Sequence, residues 1–506
     1  MFSNFHTIIF NLGARRMIRG RSSGAYRIAT ELRSHGWDVE VVDFFYFWIV
    51  EELKKLCVSR INKNTKFIGF SHIFTEWPES ARELVQWIKE TYPNITIIFG
   101  SNTYQTLYDT NIDFYVSGYA EYGLIELLKW KFSNGSRPII TPIDDDKVVF
   151  SQKYYTAAPF RNPIIIYEDR DFLMPFEWVG IEFSRGCKFQ CAYCNFPMLG
   201  VKGDWTRDAD NFERQVLDVY DRFGVNRYIV SDETFNDRTE KITKFANVVE
   251  KLDIDLFFSG HIRGDLLVAR PQEKEELLRM RFRGQFYGIE SFNYQSAKTI
   301  GKGMQSERLK QGLLDVRDYF TKHGSGLYRG TIALIAGLPY ESEQSIADNY
   351  KWLVNNWSDQ SIIVNALEIY KSSPINVSLF EQNYEKYGYT KMQNTAEVSR
   401  IPISLFNEGI CWQNEHMTMV EAYDMVFDKF YNKQFVEGGN FKITNFEMAG
   451  YSYGNTSTQN RLNKISHTML ASLCESGHPE YITKQLYYET HRDIFIEQYK
   501  QRKLSL

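Results

Sequence analysis

The sequence predicts an α/β protein with two sheet-containing units and a mainly helical C-terminal region. Three observations lead there. Short β-branched and aromatic runs alternate with helix-period segments from His6 to about Phe132, and the alternation restarts at Trp178 and lasts to about Tyr370. Beyond that point it fades into helical and irregular sequence rich in Tyr, Asn, Gln and Phe. Alternation of this kind is the pattern of a parallel sheet covered by helices. A chain of 506 residues also exceeds one ordinary core, so two or three domains follow from length alone.

The first unit, residues 1–132, has predicted strands at Thr7–Phe10, Val39–Phe44, Phe67–Ser71, Thr96–Phe99 and Phe114–Ser117. Ala25, Ile28, Ala29 and Leu32 recur at helical spacing before Gly36, and Ala81, Leu84, Val85 and Ile88 do so before Pro93. Five strands joined by such helices make a small doubly wound, Rossmann-like domain, which holds ligands beyond the carboxyl ends of its strands. The segments there, Asn11-Leu12-Gly13, Ser71 to Thr75, Gly100-Ser101-Asn102 and Gly118 to Glu121, are rich in small and hydroxyl residues. They contain neither a Walker A loop nor a G-x-G-x-x-G turn, which argues against a nucleoside triphosphate or an ordinary dinucleotide. Residues 133–175 read as a connector, because Pro138, Pro142, the acidic run at 144–146 and Pro159 interrupt periodicity.

The second unit, residues 176–370, has predicted strands at Val179–Phe183, Tyr228–Ser231, Leu256–Ser259, Phe286–Ile289, Thr331–Ile335 and Ile362–Leu367. Six β/α units fit an open, partial barrel, and in such barrels chemistry sits at the carboxyl ends of the strands. Residues 371–506 are expected to cap the barrel and contribute to a substrate pocket.

Lys plus Arg number 59 against 63 Asp plus Glu, a near balance that gives no sign of a nucleic-acid or membrane partner. Six cysteines, three of them clustered, are the usage of a reduced compartment, so a cytoplasmic location is expected. The apolar run from Phe44 to Val50 is far too short to cross a bilayer.

The cluster is Cys187, Cys191 and Cys194, immediately after the first barrel strand. Spacings this short let one loop present three thiolates to a metal centre, and three ligands leave one iron of a four-iron cubane open to a substrate or cofactor. A zinc site completed by a distant ligand, and three buried thiols that meet no metal, are the other readings of the spacing.

The C-x-x-x-C-x-x-C spacing, with Tyr193 before the last cysteine, resembles the signature of radical S-adenosylmethionine (SAM) enzymes. Downstream, Ser231-Asp232-Glu233-Thr234-Phe235, Gly288-Ile289-Glu290-Ser291 and Ile335 to Glu341 resemble that family's later segments, in its order and at strand ends. The first unit resembles the cobalamin-binding module that precedes the barrel in one subgroup, on Phe67 to Ser71, Phe99 to Asn102 and Val116 to Glu121. One departure stands out: Asn11-Leu12-Gly13-Ala14-Arg15 occupies the place of the D-x-H-x-x-G motif, so no histidine would lie beneath a cobalt.

The resemblance implies a 4Fe-4S cluster on the three cysteines, SAM on its open iron and cobalamin in the first unit. For SAM it implies Glu233 at the methionine ammonium, Arg263 at its carboxylate, Glu290 and Ser291 at the ribose, and Gly337, Leu338 and Tyr193 near the adenine. For cobalamin it implies Asn11, Ser71, Thr75, Gly100, Ser101, Gly118, Tyr119 and Glu121. It further implies reductive cleavage of SAM to a 5′-deoxyadenosyl radical, methylation of an unactivated carbon, and a reducing partner such as flavodoxin or ferredoxin. Cobalamin-independent or non-methylating radical chemistry is the alternative, and a non-catalytic iron-sulfur or zinc protein the remote one. A methylthiotransferase is disfavoured, because the first unit holds only Cys57 and no second cluster set. His72, His261 and His416 receive no role, and Cys57, Cys411 and Cys474 read as inert thiols.

Overall fold

The computed structural model describes residues 5–12, 20–72, 78–100, 109–138, 140–141, 147–151, 164–175, 177–194, 201, 205–325, 328–357, 360–369, 378–392, 410–426 and 495–506. The strands in the first half are β1 (His6–Leu12), β2 (Gly20–Arg21), β3 (Asp38–Val42), β4 (Thr65–His72), β5 (Thr96–Gly100), β6 (Phe114–Ser117), β7 (Ile140–Thr141) and β8 (Val148–Phe150). Helices α1 (Ser23–Ser34), α2 (Val50–Arg60), α3 (Glu79–Thr91) and α4 (Ala120–Phe132) cover the sheet they form.

That sheet has the order β3-β1-β4-β5-β6-β8-β7, parallel throughout except for the final β7–β8 pair. Its first five strands follow the flavodoxin-like doubly wound order, whose switch point lies between β1 and β4. Asn11 and Leu12 of β1 pair with Ser71 and His72 of β4 at the carboxyl end of that point. Every residue of β1 is buried, as expected of a central parallel strand with both faces covered.

The segment expected to be a plain connector supplies β7 and β8 to this sheet. Val148, Val149 and Phe150 are a short apolar run that extends the β6 edge. The neighbouring prolines and acidic residues mask it as sequence.

The second sheet comprises β9 (Trp178–Ile181), β12 (Arg227–Val230), β13 (Phe257–Ile262), β14 (Phe282–Glu290), β15 (Arg329–Ala336) and β16 (Ser361–Ala366), with a small antiparallel pair, β10 (Ser184–Arg185) and β11 (Trp205–Thr206), beside β9. All its strands run parallel in the order β16-β15-β14-β13-β12-β9-β2. Helices α5 (Ala209–Phe223), α6 (Thr239–Lys251), α7 (Gly264–Ala269), α8 (Glu273–Arg279), α9 (Tyr294–Thr299), α10 (Ser306–His323) and α11 (Glu343–Trp357) complete the partial (β/α)6 barrel. Val179, Ile181, Tyr228, Val230 and Phe258 are buried with Phe212, Val216 and Phe245 of the outer helices. The alternate positions Gly180, Ile229 and Ser259 are register partners and line the other face, the lumen.

Strand β2 was likewise unforeseen: it belongs to the first half of the chain but pairs with β9 and extends the barrel sheet. Arg21 in this strand is fully buried and holds both halves. It pairs with Glu177 and donates to the Tyr26 hydroxyl at 2.7 Å and the Asp171 carbonyl at 2.7 Å, with its guanidinium 5.0 Å from the Tyr499 ring. Nearby Gly180 admits no side chain, since a Cβ there would lie 2.5 Å from that of Ser23.

Described parts of the C-terminal region lie over the barrel. Phe380 N donates to the Ala192 carbonyl at 3.0 Å, and Trp412 Nε1 to that of Leu367 at 3.0 Å. The helix over 495–505 packs instead on the first unit, where Phe495, Ile496 and Tyr499 are buried with Phe44, Trp48 and Leu53. Its apolar stripe matches the exposed flank of that core, which sequence separation conceals. Among the described residues no helix is long and apolar enough to cross a membrane.

Candidate functional site

The cysteine loop leaves β9 through Glu182 and Phe183. Phe183 is fully buried against Phe212, Phe235, Phe245 and Phe258, with ring centroids between 4.6 and 5.7 Å, so the start of the loop is fixed by packing. Asp232, after β12, accepts from Phe183 N at 2.7 Å and Ser184 Oγ at 2.7 Å. Burial raises the Asp232 carboxyl to about 7, against the opposing pull of Lys241 and those hydrogen bonds. Gly186 has φ of 86°, a backbone region that favours glycine, and turns the chain toward Cys187. Farther along, Ala192 N donates to the Ile300 carbonyl at 3.1 Å and Cys194 N to that of Cys191 at 3.0 Å.

All three thiols are half-buried and free of disulfides. Cys187 Sγ lies 3.5 Å from Thr234 Oγ1, and Cys191 Sγ lies 3.9 Å from Arg263 Nη1. Burial pushes the Cys191 thiol up, while Lys302 and Arg263 pull it down. No three His, Cys, Asp or Glu side chains among the described residues converge as a single ion requires. A four-iron cluster asks for a different arrangement, one thiolate per iron, and a loop of three thiols outside any disulfide, with Arg263 and Lys302 beside Cys191, has the donor set for it.

The residues predicted around SAM come from adjacent strand ends. Half-buried Glu233 accepts through Oε2 from Gly186 N at 3.1 Å and through Oε1 from the Tyr119 hydroxyl, and burial raises its pKa. Arg263 donates from Nε and Nη2 to Asp265 at 3.0 and 2.5 Å and stacks 4.1 Å from the Phe189 ring. Its bidentate face is therefore engaged by Asp265, and Nη1 is the nitrogen turned to Cys191. Glu290, at φ of 66°, accepts from Tyr193 Oη at 2.7 Å and Lys302 Nζ at 3.0 Å. Tyr193 is thus tied down by its side chain as well as by its loop. Ser291 is buried and donates to Glu341 Oε1 at 2.5 Å. Gly337 has φ of +96°, and a Cβ there would sit 2.5 Å from the Trp412 ring; its carbonyl accepts from Tyr389 Oη at 2.8 Å, and Leu338 is fully buried. The C-terminal segment therefore covers this turn.

Of the residues predicted around cobalamin, Thr75 and Ser101 lie outside the described residues, as does Cys474. Asn11, fully buried at the end of β1, donates to Ser22 O at 3.1 Å and Asp43 Oδ1 at 3.0 Å, and its own Oδ1 has no hydrogen-bond partner among the described residues. Ser71 Oγ faces Gly24 at the start of α1, and Gly100 has room for a Cβ, so packing alone does not demand glycine there. Gly118, at φ of 90°, sets the turn into α4.

Tyr119 and Glu121 bond residues of the cysteine-loop side. Glu121 accepts from Arg185 Nη2 at 2.6 Å and Arg27 Nε at 2.9 Å, while Arg185 also pairs with Glu182 at 2.9 Å. Burial would raise the Glu121 carboxyl, but Arg185 and Arg27 outweigh it and hold it at about 2. Both residues face the cysteine loop because α4 starts where the two units meet, with cations on α1 and β10 opposite. Arg185, Glu182 and Lys302 were missed by sequence reasoning. Only the position of Arg185, two residues before Cys187, offered a signal.

His261 faces the lumen, reachable by solvent though enclosed within the barrel, with its ring edge-on to Phe286 at 4.6 Å. Burial lowers its pKa against the pull of Glu290. Cys57 is buried and pushed up to about 12, as befits an inert thiol.

Residues 181–353, which carry the loop and four of the strand ends, match the family model of the Radical SAM superfamily; this segment is a Radical SAM domain. The chain is 22% identical over 324 residues to the anaerobic magnesium-protoporphyrin IX monomethyl ester cyclase of Synechocystis sp., covering 58% of this chain and 62% of that protein. The fold resembles the cobalamin-dependent SAM radical enzyme OxsB with aqua-cobalamin bound, with TM-score 0.56 and 16% identity over 97% of this chain and 72% of that one. It also resembles the radical SAM methyltransferase TsrM of Kitasatospora setae, with cobalamin and a [4Fe-4S] cluster bound, with TM-score 0.58 and 13% identity over 78% of this chain and 81% of that one. The shared architecture is thus a doubly wound domain ahead of a radical SAM partial barrel.

Proposed function

We propose that this protein is a cobalamin-dependent radical SAM enzyme that methylates an unactivated carbon. The observation that carries the radical step is the meeting of the cysteine loop, Glu233, Arg263 and Glu290 at successive carboxyl ends of one parallel sheet. Cys187, Cys191 and Cys194 would hold a 4Fe-4S cluster, which when reduced would supply the electron for cleavage of SAM to a 5′-deoxyadenosyl radical. Glu233 accepts the methionine ammonium, as an ionised acceptor suited to a cation. Arg263 keeps a positive charge beside Cys191, and the Tyr193–Glu290–Lys302 bridge holds the end of the loop in place. The C-terminal cover over Gly337 keeps water from the site.

The carboxyl ends of β1 and β4, with Asn11 among their residues, would hold cobalamin, which would supply the methyl group. The doubly wound strand order and the unfilled Asn11 acceptor at that edge support this reading, as do the similar folds of OxsB and TsrM. A flavodoxin or ferredoxin serves as reductant.

The test is anaerobic reconstitution with iron and sulfide, addition of hydroxocobalamin, desalting, and assay with a strong reductant. Formation of 5′-deoxyadenosine with retained cobalt supports the reading. Absence of 5′-deoxyadenosine refutes it. Since SAM is consumed both as radical source and as methyl donor, S-adenosylhomocysteine accompanies 5′-deoxyadenosine in methylation. The similarity to a cyclase favours a second, non-methylating reading, in which 5′-deoxyadenosine forms without S-adenosylhomocysteine.

A further inference from the structure

Glu233 stands after β12 of the barrel, yet its carboxylate is held by both units. Gly186 N reaches Oε2 from the cysteine loop, and the Tyr119 hydroxyl reaches Oε1 from the turn after β6. The donor is itself fixed. Gly118 sets its backbone turn at φ of 90°, its carbonyl accepts from Ser151 Oγ at 2.5 Å, and the Arg185 guanidinium lies 4.1 Å from its ring. Arg185 is held in turn by Glu121 and Glu182. Burial and the neighbouring Glu233 carboxylate keep the phenol protonated, so it acts as a donor. A carboxylate offers about four lone-pair positions, so two donors orient it and still leave room for a cation.

We infer that Tyr119, carried by the N-terminal unit, is a positioning residue for Glu233, so that the methionine end of the SAM site is assembled from both units. The inference rests on the proposed role of Glu233 and goes beyond it. Without the hydroxyl, the carboxylate regains rotamer freedom that SAM must remove on binding.

The experiment compares the reconstituted full chain with Tyr119→Phe, Glu233→Gln and the double variant, measuring SAM affinity by equilibrium dialysis and the KM for SAM in 5′-deoxyadenosine formation. Phenylalanine keeps the ring beneath Arg185, so the contact between units survives. Tyr119→Phe is expected to weaken SAM binding by roughly tenfold, the scale of one hydrogen bond to a charged group, with KM raised, kcat little changed and iron content as in the wild type. The double variant is expected to bind no more weakly than Glu233→Gln alone, because the hydroxyl acts only through that carboxylate. Wild-type affinity in Tyr119→Phe, full additivity in the double variant, or loss of iron overturns the inference. A Glu233→Gln variant with unchanged affinity overturns it while leaving the radical SAM reading standing, whereas a wild type that fails to bind SAM sinks both.

Discussion

Replacing Glu341 by glutamine is expected to flatten the pH dependence of folding stability between pH 4.5 and pH 8. Glu341 is buried beside the Gly337 turn, with Oε1 accepting from Ser291. Burial raises its carboxyl from 4.5 to about 8, against the hydrogen bonds from Ser291, Leu338 and Gly337. The folded chain therefore holds a proton that the unfolded chain has released across this window, so stability falls as pH rises through it and levels off above pH 8. At 1.36 kcal/mol per unit, a rise from 4.5 to 8 corresponds to a loss of about 5 kcal/mol at most. Glutamine imitates the neutral acid and does not titrate; its extra donor adds a pH-independent cost of about 1–3 kcal/mol if unmet. Thermal unfolding followed by circular dichroism from pH 4.5 to 9 gives the comparison. The gap between the two proteins should move in favour of the variant as pH rises and then stay constant. Parallel profiles would refute a neutral Glu341.

Arg263→Gln is expected to lower the reduction potential of the reconstituted cluster, measured by electron paramagnetic resonance titration, because the cation 3.9 Å from Cys191 Sγ favours the more negative reduced state; Arg263→Lys should preserve it. Gly337→Ala places a Cβ 2.5 Å from the Trp412 ring at a φ of +96°, and should cost about 2–4 kcal/mol of stability, read as a lowered Tm. Arg21→Met leaves Glu177 buried without its guanidinium, and should cost about 3–5 kcal/mol by the same assay; an unchanged Tm would show that the ion pair holds nothing together.

The barrel strands were legible because each is a compact β-branched or aromatic run bounded by helical periodicity, and the cysteine loop because its chemistry is local. Strands β2 and β7 have two residues each, too few to show any period, and they become strands only by pairing with an existing edge. The three cysteines needed no partner to be noticed, whereas Tyr119 and Glu233 are 114 residues apart and meet only through the contact between units. Arg263 shows the reverse case, a contact made close by in sequence. The resemblance implies that it meets the methionine carboxylate, and in this structure Asp265, two residues away, engages its Nε and Nη2. Local pattern reports which residues can form a site; which partner each one takes is decided by packing over long range.

The placement of β2 and of the helix over 495–505 bears on any attempt to cut this protein into parts. A fragment starting at 176 would expose Trp178–Ile181 as a raw edge, open to pairing with another chain, and would lack Arg21 altogether. A fragment ending at 132 would strand that arginine without Glu177 and leave Phe44 and Trp48 unclothed by the last helix. Dissection at the apparent boundaries should therefore yield aggregating pieces, and the unit that melts as one includes both β1 and the helix over 495–505.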